Sequence, residues 1–240
     1  RHWLIKLGKK LTLHLKFQRS SNSINGLTPV PSSVLRSNKM TIHNLAYTYH
    51  KGLNALSKFD GIPVLAVRLY LAPIMIQAGW NKLSNFDSTV AWFANPDWGL
   101  GLPAPELMAA LAGGTEFFGG IALILGFAVR LVSIPLMITM IVAAVTVHWP
   151  NGWLAIADTS SWLANQRVLD SAEQLAKAKE ILQTHGNYNW LTSNGRIVIL
   201  NNGIEFAATY FVMLLTLLFT GGGRYVSLDD WINRYVRALK

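Results

Sequence analysis

The chain contains no cysteine among its 240 residues. This absence excludes disulfide bonds, thiol redox chemistry, iron–sulfur ligation by cysteine and covalent attachment of c-type haem. The sequence also carries no P-loop, no nucleotide-binding fingerprint and no hydrolase nucleophile motif. Any redox role must therefore depend on a group other than a thiol.

Charged residues are few, and the apolar residues cluster in long runs. Charged residues make up 14% of the chain and hydrophobic residues 51%, with a mean hydropathy of +0.30. A helix needs roughly 20 mainly apolar residues to cross a bilayer core about 30 Å thick. Four runs approach or meet that length, at about 62–80, 104–126, 131–148 and 197–220. The sequence therefore predicts an all-α, polytopic membrane protein with a four-transmembrane-helix bundle over residues 62–220.

Acidic residues are scarce, and the excess positive charge has a pattern. The formal net charge is +9, and ten of the 21 Lys and Arg residues precede the first run. Arg130 lies in the short turn between the second and third runs, and further basic residues follow the fourth. Because Lys and Arg are enriched in cytoplasmic segments, this pattern predicts a multi-pass protein with both termini cytoplasmic. It explains the charge without a nucleic-acid partner.

Three segments flank or interrupt the predicted bundle. We expect residues 1–61 to form a basic cytoplasmic segment, 149–196 a periplasmic loop and 221–240 a cytoplasmic tail. Residues 1–39 contain no Asp or Glu. They fit either a transit peptide or, as the favoured interpretation, upstream sequence outside the native protein, with Met40 as its start. Residues Trp3 to Phe17 also fit a basic amphipathic surface helix.

The two predicted outer loops, residues 81–103 and 149–196, are rich in tryptophan, which favours the headgroup zone of a bilayer. The six residues are Trp92, Trp98, Trp149, Trp153, Trp162 and Trp190. The periplasmic loop should contain a surface helix that Asp170 or Ser171 caps and Gly186 ends.

Polar residues recur on one face of each predicted span. On the first span a single stripe holds Arg68, Ala72, Met75, Gly79 and Lys82. On the second, Glu116 shares a face with small residues that allow close helix contact. On the fourth, a continuous polar stripe is predicted from Asn201, Asn202, Glu205, Thr209 and Thr216.

These residues define a candidate polar cavity, predicted to open towards the outer side. Its members are Arg68, Lys82, Glu116, His148, Asn201, Asn202 and Glu205. The alternative interpretation is that Arg68 with Glu116, and Glu205 with Lys82 or His148, form structural ion pairs that fix helix orientation. The scattered methionines are better explained by packing, and no metal site is predicted.

Several motifs give the chain a family resemblance. They are VRLYLAP in the first span, AGWNKL at 78–83, EFFGGIALILGFAVR around Glu116, and GGRYVSLD at 222–229. Together they resemble the DoxX family of small bacterial membrane proteins, over residues 62–150 and 198–232.

The resemblance implies a four-helix protein of the bacterial inner membrane. Some members of the family are membrane subunits linked to quinone-dependent sulfur oxidation or to oxidative-stress complexes. Others accompany peptide-modifying, metal-responsive gene sets, so the resemblance implies a role of one of these kinds. It supplies no agreed set of catalytic residues. The basic leader and the long loop at 151–196 depart from the compact family pattern, so partners of shorter members need not apply here.

Two functions therefore remain open. The leading hypothesis is a redox-associated subunit that positions a non-covalently bound quinone, or a partner protein, at the polar cavity. The alternative is a non-catalytic anchor or assembly subunit, which binds a protein partner in the membrane or periplasm, or a second copy of itself, through the outer loop. A small transporter is less favoured, because the four short spans show no inverted repeat.

Overall fold

The computed structural model describes the backbone of residues 32–239 and the side chains of residues 44–239. The chain divides into two units, Arg1–Ala55 and Leu56–Lys240. In the first unit the described residues belong to helix α1, Ser32–Leu56. The predicted surface helix at Trp3 to Phe17 lies outside the described residues.

The second unit consists of helices joined by turns and one long loop. In chain order these are α2 (Gly61–Ser84), α3 (Phe86–Ala94), α4 (Pro105–Leu125), α5 (Val129–Ala143), α6 (Gln166–His185), α7 (Tyr188–Leu191), α8 (Glu205–Thr220) and α9 (Leu228–Ala238). A 3-10 turn at Ser57–Phe59 precedes α2. Helix α5 continues into a π-helical turn, Ala144–His148, and a 3-10 turn, Trp149–Asn151. Between residues 32 and 239 the β pairing is one isolated bridge, Ile156 with Leu200, so the prediction of an all-α protein is confirmed.

Three helical segments are long and apolar enough to cross a membrane. They are Gly61–Ser84, Pro105–Leu125 and Val129–Asn151. The fourth apolar helix, α8, has 16 residues and falls short of that length. The fourth span was predicted to begin at residue 197, but residues 197–204 are not helical. The chain is therefore a multi-pass membrane protein with three candidate spans, and the predicted count of four is not confirmed by helix length.

Helices α2 and α4 pack closely through small residues. A Cβ atom on Gly120 would lie 2.9 Å from the carbonyl oxygen of Ala72, and one on Gly113 would lie 3.0 Å from Leu83. The predicted α2 stripe is buried at Arg68, Ala72, Met75 and Gly79. Within a bilayer, such small residues let van der Waals contact hold helices together where no hydrophobic driving force exists.

Helices α5 and α8 form the other close pair and complete the core. The α5–α8 contact buries Leu136 and Met140 with Leu214 and Leu217. Helix α8 also contacts α2, and α5 contacts α4, so the four helices close into a ring. The apolar core inside that ring fixes the spacing of the polar side chains described below.

The bundle has two chemically different ends. At the turn end, α2 and α5 begin and α4 and α8 end, and Arg130 Nη2 donates to the carbonyl of Phe219 across that end at 3.1 Å. At the loop end, α2 and α5 finish, α4 and α8 begin, and the backbone N–H of Ala155 donates to Glu205 at 2.9 Å.

The close α2–α4 contact predicts opposite effects for two glycine substitutions. In Gly79→Ala, the new methyl would sit 2.7 Å from the carbonyl oxygen of Gly113 and against the backbone of Phe117. We expect a loss of about 1–3 kcal/mol in stability, as for other overpacked cores. The matched control is Gly114→Ala, where a Cβ meets nothing within 4 Å. The control should be neutral or gain up to about 1 kcal/mol from helix propensity.

Thermal unfolding of the purified protein in one detergent checks this prediction. Equal midpoints for the two variants would contradict the packing described for α2 and α4.

Candidate functional site

Arg68 is completely buried at the turn end, where it bonds to backbone carbonyls. Its Nε donates to Leu123 O at 2.7 Å and its Nη2 to Ile124 O at 2.8 Å. Its Nη1 donates to Gly222 O at 2.5 Å and to Val226 O at 3.1 Å. The first two carbonyls belong to the last turn of α4, where the usual donors four residues ahead are missing; Leu123 O also accepts from Gly126 N at 3.3 Å. A guanidinium with five N–H donors in a planar fork can satisfy this set, and its charge complements the helix C-terminus.

Asp229 accepts hydrogen bonds from the start of α5, whereas Arg68 donates hydrogen bonds to the end of α4. Its two carboxylate oxygens accept from the backbone N–H groups of Ala128 and Val129, at 2.7 and 3.0 Å. A carboxylate at the start of α5 satisfies free N–H groups and complements the helix dipole. Gly126 lies between the two contacts with φ +67°, and a Cβ there would collide with the Arg68 guanidinium. We call Arg68, Asp229 and the backbone groups that they bond the terminal clasp.

The predicted pair of Arg68 with Glu116 is wrong. Helices α2 and α4 run antiparallel, and Arg68 lies beside residues 123 and 124 of α4. Glu116 is eight residues away from Ile124, or about 12 Å along the helix, which places it beyond Arg68's contacts. The spacing of residues along each helix was predicted correctly. The sequence did not reveal the offset between the helices, that is, which residues of α2 lie beside which residues of α4.

Glu116 instead pairs with Lys82. Lys82 Nζ lies 2.6 Å from Glu116 Oε2, and the two side chains are 26% and 7% exposed. The AGWNKL motif makes this pair possible, since Gly79, one turn earlier on α2, lets the backbone of α4 approach closely. The Glu116 end of the pair is buried, the Lys82 end is partly exposed, and the pair joins α2 to α4.

At the loop end, Asn201 and Glu205 hold two chain segments together. Asn201 is buried and its Nδ2 donates to Asn151 O and Leu154 O, at 2.8 and 2.6 Å. Glu205 Oε2 accepts from Ala155 N, so the predicted pairing of Glu205 with Lys82 or His148 is wrong. Backbone bonds also run from residues 201–205 to residues 152–155. The backbone at this position is not helical, and its N–H and C=O groups are satisfied by hydrogen bonds between the two segments.

The predicted polar stripe along the fourth span is interrupted for the same reason. Asn201 and Asn202 precede α8, which begins at Glu205. Thr209 and Thr216 lie on α8, where their hydroxyls donate to the carbonyls four residues earlier. They are therefore satisfied within the helix.

His148 ends the π-helical turn that extends α5. Its Nδ1 lies 2.9 Å from the carbonyl oxygen of Asn202. A carbonyl oxygen only accepts, so Nδ1 carries the proton and Nε2 is an acceptor in the neutral ring. Asn202 adopts φ +58°, and its carbonyl also accepts from Asn151 Nδ2 at 3.0 Å. The loop segment thus orients the imidazole.

A cavity of about 430 Å³ lies between α4 and α5 towards the loop end. Its walls are mainly apolar, and three titratable side chains reach it: Lys82, Glu116 and His148. Thr139 and Thr146 also line it, but their hydroxyls donate to Leu136 O and Val142 O at 2.7 Å. We call this space the Lys82 cavity.

Helix α3 and the turn after it cover one side of the cavity. Trp92 and Phe93 of α3 line it together with Leu100 and Leu102 of the turn. The turn folds back because Leu100 N and Leu102 N donate to the carbonyls of Trp92 and Phe93. Sequence reasoning treated residues 81–103 as a loop and missed this short helix. Its signals were Asp87 in the first turn and the apolar residues around Phe93.

The structure therefore divides the predicted cavity residues into three places. Lys82, Glu116 and His148 meet at one cavity, Arg68 lies in the terminal clasp, and Asn201, Asn202 and Glu205 lie in the loop-end pairing. Within the described residues, every buried side-chain nitrogen and oxygen has a hydrogen-bond partner. The clasp residue Asp229 was also missed, although the GGRYVSLD motif that ends in it was noticed.

A second space of about 720 Å³ lies at the turn end, and its charged groups serve structural contacts. Arg224 pairs with Asp60 at 3.4 Å, and Asp230 pairs with Arg234 at 2.8 Å. Asp229, which also lines it, bonds the start of α5. The Lys82 cavity is the better candidate for a ligand, because its walls are mainly apolar and carry a few convergent polar groups.

The long loop carries a helix and several exposed indoles. The cap of helix α6 lies five residues before Asp170, because Asn165, not Asp170 or Ser171, accepts from Val168 N at 3.1 Å. Gly186 follows its last residue, as predicted. Trp162 is 90% exposed and Trp190 is 72% exposed.

The Lys82–Glu116 pair predicts strong non-additivity between two substitutions. Lys82→Met leaves a buried carboxylate without its cation, and Glu116→Gln leaves the ammonium without its anion. Each should destabilise the protein by about 2–4 kcal/mol, near the range for broken buried pairs. The double variant should recover most of that loss, because neither charge then remains unpaired.

Thermal or denaturant unfolding of the three variants in detergent measures this coupling. Additive losses would contradict the pairing described here.

Comparison with known proteins bears on the same region. The DoxX family model matches residues 64–149, which run from α2 to the start of the 3-10 turn after His148. No curated protein and no solved structure matches the chain. The matched range includes Arg68, the Lys82–Glu116 pair and the α4 and α5 walls of the Lys82 cavity. The predicted resemblance is thus confirmed for the first of its two stretches, and residues 64–149 of this membrane protein match the DoxX family model.

Proposed function

We propose that the protein is a redox-associated membrane subunit that binds a quinone in the Lys82 cavity. The observation that carries the proposal is an apolar cavity of about 430 Å³ with Lys82, Glu116 and His148 on its wall. Its volume lies within the roughly 300–1,000 Å³ common for small-molecule sites. A bound quinone would supply reversible electron transfer, which a chain without cysteine cannot supply through thiols.

The polar groups of the cavity fit the oxygens of such a ligand. An ammonium has three donors, and Lys82 uses one of them on Glu116. The remaining donors suit a ligand carbonyl. Glu116 keeps its second oxygen as an acceptor, and His148 keeps Nε2, because Nδ1 is held by Asn202 O. These acceptors suit a ligand hydroxyl, so both donors and acceptors surround a largely apolar space.

The arrangement in the membrane follows from the two ends of the bundle. We place the turn end in the cytoplasm of a bacterial inner membrane, because Arg130, Arg224, Arg234 and Arg237 belong to it and the segment before α2 is basic. The loop end then faces the periplasm with residues 149–196. Helix α8 serves as the fourth span, since it runs from the loop end at Glu205 to the turn end at Thr220.

A matched pair of alanine substitutions tests the cavity. Ala112 lines it, whereas Ala110, on the same helix, is exposed and is not among the lining residues. Ala112→Phe should weaken quinone binding by about tenfold or more, because the ring takes volume that the ligand needs. Ala110→Phe should bind as the unchanged protein does.

The measurement is the quinone content of protein extracted in a mild detergent, with equilibrium dialysis against a short-chain ubiquinone analogue. Equal binding by both variants, or no binding by the unchanged protein, would sink the proposal.

A second candidate function is an anchor or assembly subunit whose contact surface is the long loop. The exposed indoles favour it, since the rest of the described chain leaves Trp162 and Trp190 largely uncovered and tryptophan is enriched at protein interfaces.

For this alternative we expect Trp162→Ala together with Trp190→Ala to abolish a discrete complex on native gels of solubilised membranes. Ala112→Phe should leave the complex intact. The reverse pattern would favour the cavity and reject the anchor role. An unchanged thermal midpoint for the double variant confirms that only surface residues were altered.

A further inference from the structure

Helix α9 has a continuous apolar face that the rest of the described chain does not cover. Its members recur at helical spacing: Leu228, Trp231, Ile232, Tyr235, Val236 and, just past the helix end, Leu239. Each of these side chains is between 39% and 70% exposed. At about 100° per residue they form one stripe, and Asn233 and Arg237 lie on the opposite side.

The position of α9 is fixed at one end. Asp229 bonds the first N–H groups of α5, and the backbone N–H of Asp229 donates to Gly126 O at 3.0 Å. Ser227 caps the helix by accepting from Asp230 N at 3.2 Å. These contacts hold the start of α9 at the turn end, level with the residues where α5 begins. That level is the boundary of the membrane-spanning region.

Exposed apolar side chains are also present on the bundle helix that precedes α9. Seven residues separate the end of α8 from the start of α9, and Phe219 in the last turn of α8 is 74% exposed. Exposed apolar side chains on a membrane helix face acyl chains. The exposed stripe on α9 has the same apolar character.

The chemistry of the helix matches a membrane interface. Trp231 donates its Nε1–H to Tyr225 O at 3.2 Å, and Tyr235 lies one turn further on. Indole and phenol rings favour the headgroup zone, where an apolar body and a polar tip are both satisfied. On the other face, Asp230 pairs with Arg234, and Arg234 also stacks over Tyr225 at 4.2 Å.

We propose that α9 lies in the plane of the bilayer interface, with its apolar stripe buried among headgroups and upper acyl chains. The occupant of the stripe is lipid, because an amphipathic helix with this face, clasped to the end of a membrane bundle, meets the bilayer first. This contact is independent of any ligand in the Lys82 cavity.

The cysteine-free sequence makes the proposal directly testable. Ile232→Cys places a nitroxide spin label on the apolar stripe, and Arg237→Cys places one on the opposite face as the matched control. Both proteins are reconstituted into nanodiscs of phosphatidylcholine and phosphatidylglycerol. Collision rates are then measured with oxygen, which partitions into lipid, and with a water-soluble nickel chelate.

We expect a severalfold higher oxygen-to-nickel ratio at position 232 than at position 237. Equal nickel accessibility at both positions would place the helix in water and overturn the proposal. Low accessibility to both reagents at position 232 would mean that protein covers the stripe, which also overturns it. If Ile232→Cys disturbs folding, Leu239→Cys repeats the measurement on the same face.

Discussion

The guanidinium of Arg68 is the interaction on which this bundle depends. It is fully buried and bonds four carbonyls from the end of α4 and from the chain that follows α8. A charge in that place is tolerated because each guanidinium nitrogen donates to carbonyl oxygens and because the end of α4 is electronegative. One side chain from α2 thus fixes where α4 stops and where the chain turns towards α9. Asp229 completes the arrangement by fixing where α5 starts.

The polar residues of the membrane region serve three separate purposes as a result. Those at the turn end connect helix termini, and those at the loop end replace helical bonding where the backbone is irregular. Between them, Lys82 and Glu116 lie beside an apolar cavity. His148 belongs both to the loop end and to the cavity, because Asn202 at the loop end orients its imidazole ring and that ring also lines the Lys82 cavity.

Much of the fold could be predicted from the sequence, because apolar run length and helical spacing are local properties. The first three spans, the buried stripe of α2 and the small-residue face of Glu116 agree with the structure. The failures share a cause. The offset between the antiparallel helices α2 and α4 decides that Glu116 contacts Lys82 and not Arg68. In the same way, the apolar run at 197–220 does not reveal that residues 197–204 pair with residues 152–157 instead of forming a helix. Both depend on contacts between distant segments, which periodicity does not encode.

In the proposed arrangement, in which α8 is the fourth span, its shortness bears on the shape of the bilayer itself. Its 16 residues reach about 24 Å, several ångströms less than a typical hydrocarbon core of about 30 Å. Its neighbour α5 with its extensions has 23 residues and has no such shortfall. Hydrophobic mismatch on one flank alone would thin the bilayer there and leave it undisturbed on the other. The protein would then carry a local depression in the membrane along α8, with lipids packed less regularly at that flank.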